Sequence, residues 1–90
     1  RKRLKLGAIP GTGMNKIEAL GAVIRETRLH QKISQEKLAE VAKLHRNALG
    51  RIERSEVAVT VATLWLIADA LGVAASELMQ KAESLANHNS

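Results

Sequence analysis

The chain has no cysteine, phenylalanine or tyrosine, and only one proline and one tryptophan among its 90 residues. Without thiols, neither a disulfide framework nor a thiolate metal site can stabilise it, so burial of aliphatic surface must do so, and a reducing compartment is the natural setting. Trp65 is the sole aromatic residue. That excludes the stacking platforms with which typical single-strand readers hold unpaired bases, and leaves duplex readers. No run of eighteen apolar residues occurs, and the basic start RKRLKLGAIPGTG is not followed by a stretch of signal-peptide length, so the expectation is a cytoplasmic chain with no membrane partner. What the sequence does hold is aliphatic: 46% of residues are hydrophobic, enough for the core of one compact domain.

The net charge of +5 is unevenly spread. Residues 1–13 carry Arg1, Lys2, Arg3 and Lys5 with no acid, together with Pro10 and three of the six glycines, and read as a flexible basic tail. Met14 has the look of an initiator, so this tail is either an appended remnant or an arm that touches DNA phosphates. Residues 25–54 hold eight cations against Glu26, Glu36, Glu40 and Glu53, whereas residues 55–90 run to −3. A basic middle and an acidic end suggest a polyanionic partner met by the middle.

Helical periodicity fills the rest. Leu20, Val23, Ile24 and Leu29 define a first helix from Asn15 to about His30. Ser34 is a good N-cap for a second, with Leu38, Ala39, Val41 and Ala42 toward the core and Glu36 in its first turn. After a short gap at Lys43 to His45, Leu49 and Ile52 mark a third. Ser55 to Val59 reads as a loop, and Thr60 caps a fourth helix through Val61, Leu64, Ile67, Ala68 and Leu71 that ends at Gly72. A fifth runs from about Ala75 through Leu78, Met79 and Ala82 to about Leu85, with residues 86–90 fraying. The expected fold class is all-α, a compact five-helix bundle with one domain at 14–85.

The segment SQEKLAEVAKLHRNALGRIER, residues 34–54, places two short helices around a tight turn, the layout of a helix-turn-helix. Ala39 is small where the two helices approach. Arg46, Asn47, Gly50, Arg51 and Arg54 share one side of the second of these helices, away from Leu49 and Ile52. With LGAVIRETR, RIER and IADALGVAASELM in the same order and spacing, residues 20–79 resemble the lambda-repressor-like, Xre-type regulators of bacteria and phages. The resemblance implies a five-helix bundle that binds operator DNA as a homodimer, with the third helix in the major groove.

Carried over position by position, the resemblance places Arg46, Asn47 and Arg51 at base edges, the arginines as forks for guanine and Asn47 for adenine or a phosphate. Gln35 falls where relatives contact a phosphate and brace the start of the recognition helix, and Lys37, His45, Gly50 and Arg54 are further phosphate candidates. Gly50 either permits close approach to DNA or is simply tolerated. Arg28 and Glu53 match a partly buried structural ion pair. Lys43 stands where relatives often have glycine, and a positive φ there strains the backbone by about 1 kcal/mol. His45 replaces the usual Ser or Thr cap, and serves either a phosphate or no special purpose. The following loop lacks basic residues, and Glu56 is expected to be repelled by phosphate.

Dimer contacts are expected from helices 4 and 5, with Leu66 and Ala70 where a solvated face would carry charge; Trp65 is either beside them or in the core. The expected function is a sequence-specific regulator acting on a palindromic operator. The alternative is an antitoxin or helical protein-binding module, its partner for instance a toxin, in which DNA binding is secondary. His30, His45 and His88 have no ligand spacing, so no metal, cofactor or catalytic constellation is expected.

Overall fold

The structure, a computed structural model, describes residues 14–88; the expected basic tail at 1–13 lies outside them. Among the described residues five helices and no strand form: α1 (Lys16–His30), α2 (Gln35–Ala42), α3 (Arg46–Glu53), α4 (Val61–Leu71) and α5 (Ala75–His88). The starts of α1, α2 and α4 are fixed locally. Asn15 Oδ1 accepts from the Glu18 amide at 2.8 Å while the Asn15 amide donates to Glu18 Oε1 at 3.1 Å, a reciprocal capping box. Ser34 Oγ accepts from the Lys37 amide at 2.9 Å, and Thr60 Oγ1 from that of Thr63 at 3.1 Å. Such caps contribute about 1 kcal/mol each.

The first four helices also end alike. Lys32, Lys43 and Ser55 each adopt φ 62°, and Gly72 φ 72°. In each case the next amide donates to the carbonyl five residues back: Ile33 to Arg28, Leu44 to Ala39, Glu56 to Arg51 and Val73 to Ala68, at 3.3, 2.8, 2.8 and 3.0 Å. This is the Schellman ending, normally built on glycine. Three of the four here force a residue with a Cβ into the left-handed region.

Each helix sends one large side chain into the centre: Ile24, Leu38, Leu49, Ile67 and Leu78 are all fully buried. Burial of each contributes about 1.5–3 kcal/mol. α1 lies along α5, α2 packs on α3 and α4, and α4 and α5 bend by 104° across Gly72. No single helix among the described residues is long and apolar enough to cross a membrane. Gly21 lets α1 and α3 touch backbone to backbone, since a Cβ there would sit 2.6 Å from the Ile52 carbonyl oxygen and 3.0 Å from that of Glu53.

Several expected core residues lie outside. Leu29, Val41, Val61 and Met79 are exposed. The reason is rotational phase: adjacent residues on a helix differ by about 100°, and the inward positions belong to Arg28, Ala42 and Leu78. Trp65 does not fill the core either; it is 60% exposed. At the other end, α5 continues past Leu85 to His88. Ala86 continues the inward row of Leu78 and Ala82, and its burial holds the last turn.

Candidate nucleic-acid interface

α3 is eight residues long and two-faced. Leu49, Ile52 and Glu53 turn inward, while Arg46, Asn47 and Arg51 are exposed, with Arg54 just past the helix end. His45, the N-cap, is exposed and makes no side-chain cap bond. The first-turn amides of α3 therefore keep their positive end open toward solvent, a suitable place for a phosphate oxygen.

What holds this face still is a buried polar network. Arg28 and Glu53 are 7% and 6% exposed, and their side chains meet in a two-point fork, Nε to Oε2 at 2.8 Å and Nη2 to Oε1 at 3.0 Å. Arg28 Nη1 donates to the Ile33 carbonyl at 2.9 Å, and Gln35 Nε2 donates to Glu53 Oε1 at 3.0 Å. α1, α2 and α3 are thus joined through one carboxylate, and the turn after α1 through the Arg28 guanidinium. Because Glu53 is paired with Arg28 inside, the side chains that α3 turns to solvent are cationic or neutral.

Two expected DNA contacts, Gly50 and Gln35, also take part in this packing. Gly50 is buried, not open: a Cβ on it would meet Arg54 Nη1 at 3.0 Å and Gln35 Oε1 at 3.5 Å, so those side chains roof its backbone. Gln35 is half-buried, and its Nε2 donates to Glu53, so it braces the C-terminal end of α3. Lys37 is exposed and sits 3.8 Å from Glu40, a loose surface pair.

Glu56 is the feature that the sequence did not disclose. It does not simply stand off as a repelled charge. Its Oε2 accepts from Arg54 Nε at 2.7 Å, its Oε1 accepts from Arg54 Nη2 at 3.3 Å, and Oε1 lies 3.8 Å from Arg51 Nε. The hydrogen bond from Arg54 holds the Glu56 carboxyl below the usual glutamate range, aided by the charges of Arg54 and Arg51, and the same bond raises the Arg54 guanidinium. A single signal was available in the sequence: Ser55 and Glu56 directly follow a helix that no glycine terminates.

A second surface lies on α4. Val61, Trp65 and Leu66 are exposed, the last at 42%, and Ala70 is half-buried. Leu66, Asp69 and Ala70 face Val41, Ala42 and Lys43 across a shallow hollow of about 340 Å³. Val41 therefore belongs to this outer apolar face, shared by α2 and α4.

A helix-turn-helix family model matches residues 24–78. Control protein C.SmaI of Serratia marcescens is 39% identical over 64 residues, which is 71% of this chain and 76% of that protein. Among solved structures, the clp gene regulator ClgR of Corynebacterium glutamicum superposes with a TM-score of 0.77 at 27% identity, over 84% of this chain and 82% of that one. The restriction-modification controller protein C.AhdI of Aeromonas hydrophila gives a TM-score of 0.68 at 32% identity, over 69% of this chain and 94% of that one.

Proposed function

The chain belongs to the helix-turn-helix family, as a DNA-binding transcriptional regulator of the Xre, lambda-repressor-like type, and from that premise we propose that it acts as a homodimer on a palindromic operator. The family is one of DNA-binding regulators and not of enzymes. The carrying observation is that Arg46, Asn47 and Arg51 stand exposed together on a helix whose inner side is locked by the Arg28, Glu53 and Gln35 network. In the major groove the two arginines would offer forks to guanine and Asn47 a carboxamide to adenine. Lys37, His45 and Arg54 would hold phosphates, with the open first turn of α3 beside them. Gln35 and Gly50, which also pack within α2 and α3, would be further phosphate contacts.

One such helix reads only a few base pairs, so a single copy would bind weakly at physiological salt. The apolar face of Trp65, Leu66, Val61 and Val41 supports pairing of two copies, with reading helices about 34 Å apart, one turn of duplex. Likeness to C.SmaI and C.AhdI supports a role as controller of a restriction-modification system.

The test joins binding-site selection from random duplexes with solution mass. Expected are a site with two-fold symmetry and twice the chain mass. Arg46→Ala should relax base preference at one position with the fold intact, at a loss of about 1–3 kcal/mol on the preferred site. Lys37→Ala should weaken all duplexes alike and reduce the salt slope by about one. Leu66→Lys should halve the mass, and Trp65 emission should shift to the blue as the wild-type chain is concentrated. A monomer with asymmetric or absent site preference would defeat the proposal, and would assign the α4 face to a different protein.

A further inference from the structure

Four helices of this chain end on the same backbone device, and only one of them places a charge where that device ordinarily places an apolar contact. Ile33, Leu44 and Val73 occupy the position after the left-handed residue in α1, α2 and α4, and all three pack against the core. In α3 that position is Glu56, which is exposed. The local geometry then dictates where its carboxylate goes. Ser55 at φ 62° turns the chain back, and the Glu56 amide donates to the Arg51 carbonyl at 2.8 Å, which pins the residue beneath Arg51.

Glu56 engages the two arginines differently. Arg54 is held by a fork, at 2.7 and 3.3 Å, whereas Arg51 Nε lies 3.8 Å from the carboxylate, beyond hydrogen-bond range. Among the described residues the terminal Nη atoms of Arg51 donate no side-chain hydrogen bond to Glu56. We infer that Glu56 is a specificity-setting positioning residue, whose charge beside the Nε edge of Arg51 biases that side chain toward presenting its terminal fork to a guanine and opposes binding to phosphates alone. The inference rests on Arg51 being a base reader, as proposed above.

The discrimination follows from chemistry. A phosphate and a carboxylate are rivals: each presents paired oxygens and a negative charge, so an arginine that binds one must leave the other or bring two anions together. Guanine is not a rival. Its O6 and N7 are neutral acceptors that take the two terminal nitrogens end-on, a geometry compatible with a carboxylate on the Nε edge. On random duplex, where Arg51 and Arg54 have only phosphates to bind, Glu56 works against the complex. On a site with guanine at the right position, Arg54 exchanges Glu56 for a phosphate as it does on any duplex, while Glu56 stays beside Arg51 and orients the reader.

The test compares Glu56→Gln with wild type on the selected operator and on a scrambled duplex of equal length, across salt concentration. Random-duplex affinity should rise roughly two- to fivefold, as expected for loss of an exposed ion-pair partner. Operator affinity should rise less or fall, so the ratio of the two decreases, and site selection should show weaker guanine preference at the position read by Arg51. In an Arg51→Ala background, Glu56→Gln should leave the ratio unchanged. Equal strengthening on both duplexes, or the same drop in ratio without Arg51, would overturn the inference and leave Glu56 as a general surface charge. An Arg51→Ala variant with undiminished base preference would overturn the assignment of Arg51 and this inference with it, whereas loss of preference there with an unmoved Glu56→Gln ratio would overturn this inference alone. Thermal unfolding of Glu56→Gln at the wild-type midpoint establishes that the fold is intact.

Discussion

Replacing Glu53 by Gln tests whether the reading helix is anchored by charge. In the native arrangement three donors, Arg28 Nε, Arg28 Nη2 and Gln35 Nε2, converge on the two carboxylate oxygens. A carboxamide has nearly the same shape but one acceptor oxygen, so at least one donor would face an NH2 group, and the Arg28 charge would lose its counter-ion in a site where its side chain is 8% exposed. Stranding a buried charge costs about 3–5 kcal/mol. A domain of this size has roughly 4–11 kcal/mol of total stability, so the loss is a large share of it. At about 4–8 °C per kcal/mol, the lower bound corresponds to a fall in midpoint of about 12–24 °C. Urea unfolding followed by far-ultraviolet circular dichroism would measure it, with an unchanged m value if the denatured state is unaltered. A second variant, Arg28→Met with Glu53→Leu, removes both ions. It should recover most of the loss, short of about 1 kcal/mol for each partner left unbonded at the Ile33 carbonyl and the Gln35 amide. A loss below about 1 kcal/mol for Glu53→Gln would mean that the pair behaves like a solvated surface bridge, and the anchoring argument would be wrong.

Three further outcomes are expected. Gly21→Ala should destabilise by about 1–3 kcal/mol in the same urea assay, because its methyl would collide with the Ile52 carbonyl oxygen, even though alanine is the better helix former by about 1 kcal/mol. Lys43→Gly should stabilise by about 1 kcal/mol by relieving the left-handed strain at φ 62°; a neutral or destabilising result would show that the lysine makes compensating contacts. By NMR titration, the Glu56 carboxyl should protonate below the ordinary glutamate midpoint and return toward it in Arg54→Ala. Since its folded value is depressed, the pairing supports the folded state above the ordinary glutamate range and is lost as pH falls through the depressed value.

Helix number, order and approximate limits were legible because each depends on signals a few residues apart: Ser34 and Thr60 as caps, Gly72 as a stop, and aliphatic spacing between them. The exposure of Leu29, Val41 and Met79 was not, because spacing gives the width of an apolar face and says little about which edge of it a neighbouring helix covers. The endings at Lys32 and Ser55 were invisible for a different reason: neither residue type favours positive φ, and tertiary packing imposes it. Gly21 and Gly50 look alike in sequence, as single glycines within helices, yet one admits a neighbouring backbone and the other lies under the Gln35 and Arg54 side chains. The pairing of Arg28 with Glu53 spans 25 residues and was suggested only by family resemblance.

The bare contact at Gly21, together with the fork beside it, resists pivoting of the third helix on the first. In a two-copy complex, any mismatch between protein and half-site phasing must then be absorbed by the duplex. Operators whose central steps kink or overwind cheaply would then be favoured over stiffer ones, even at base pairs that no side chain reads.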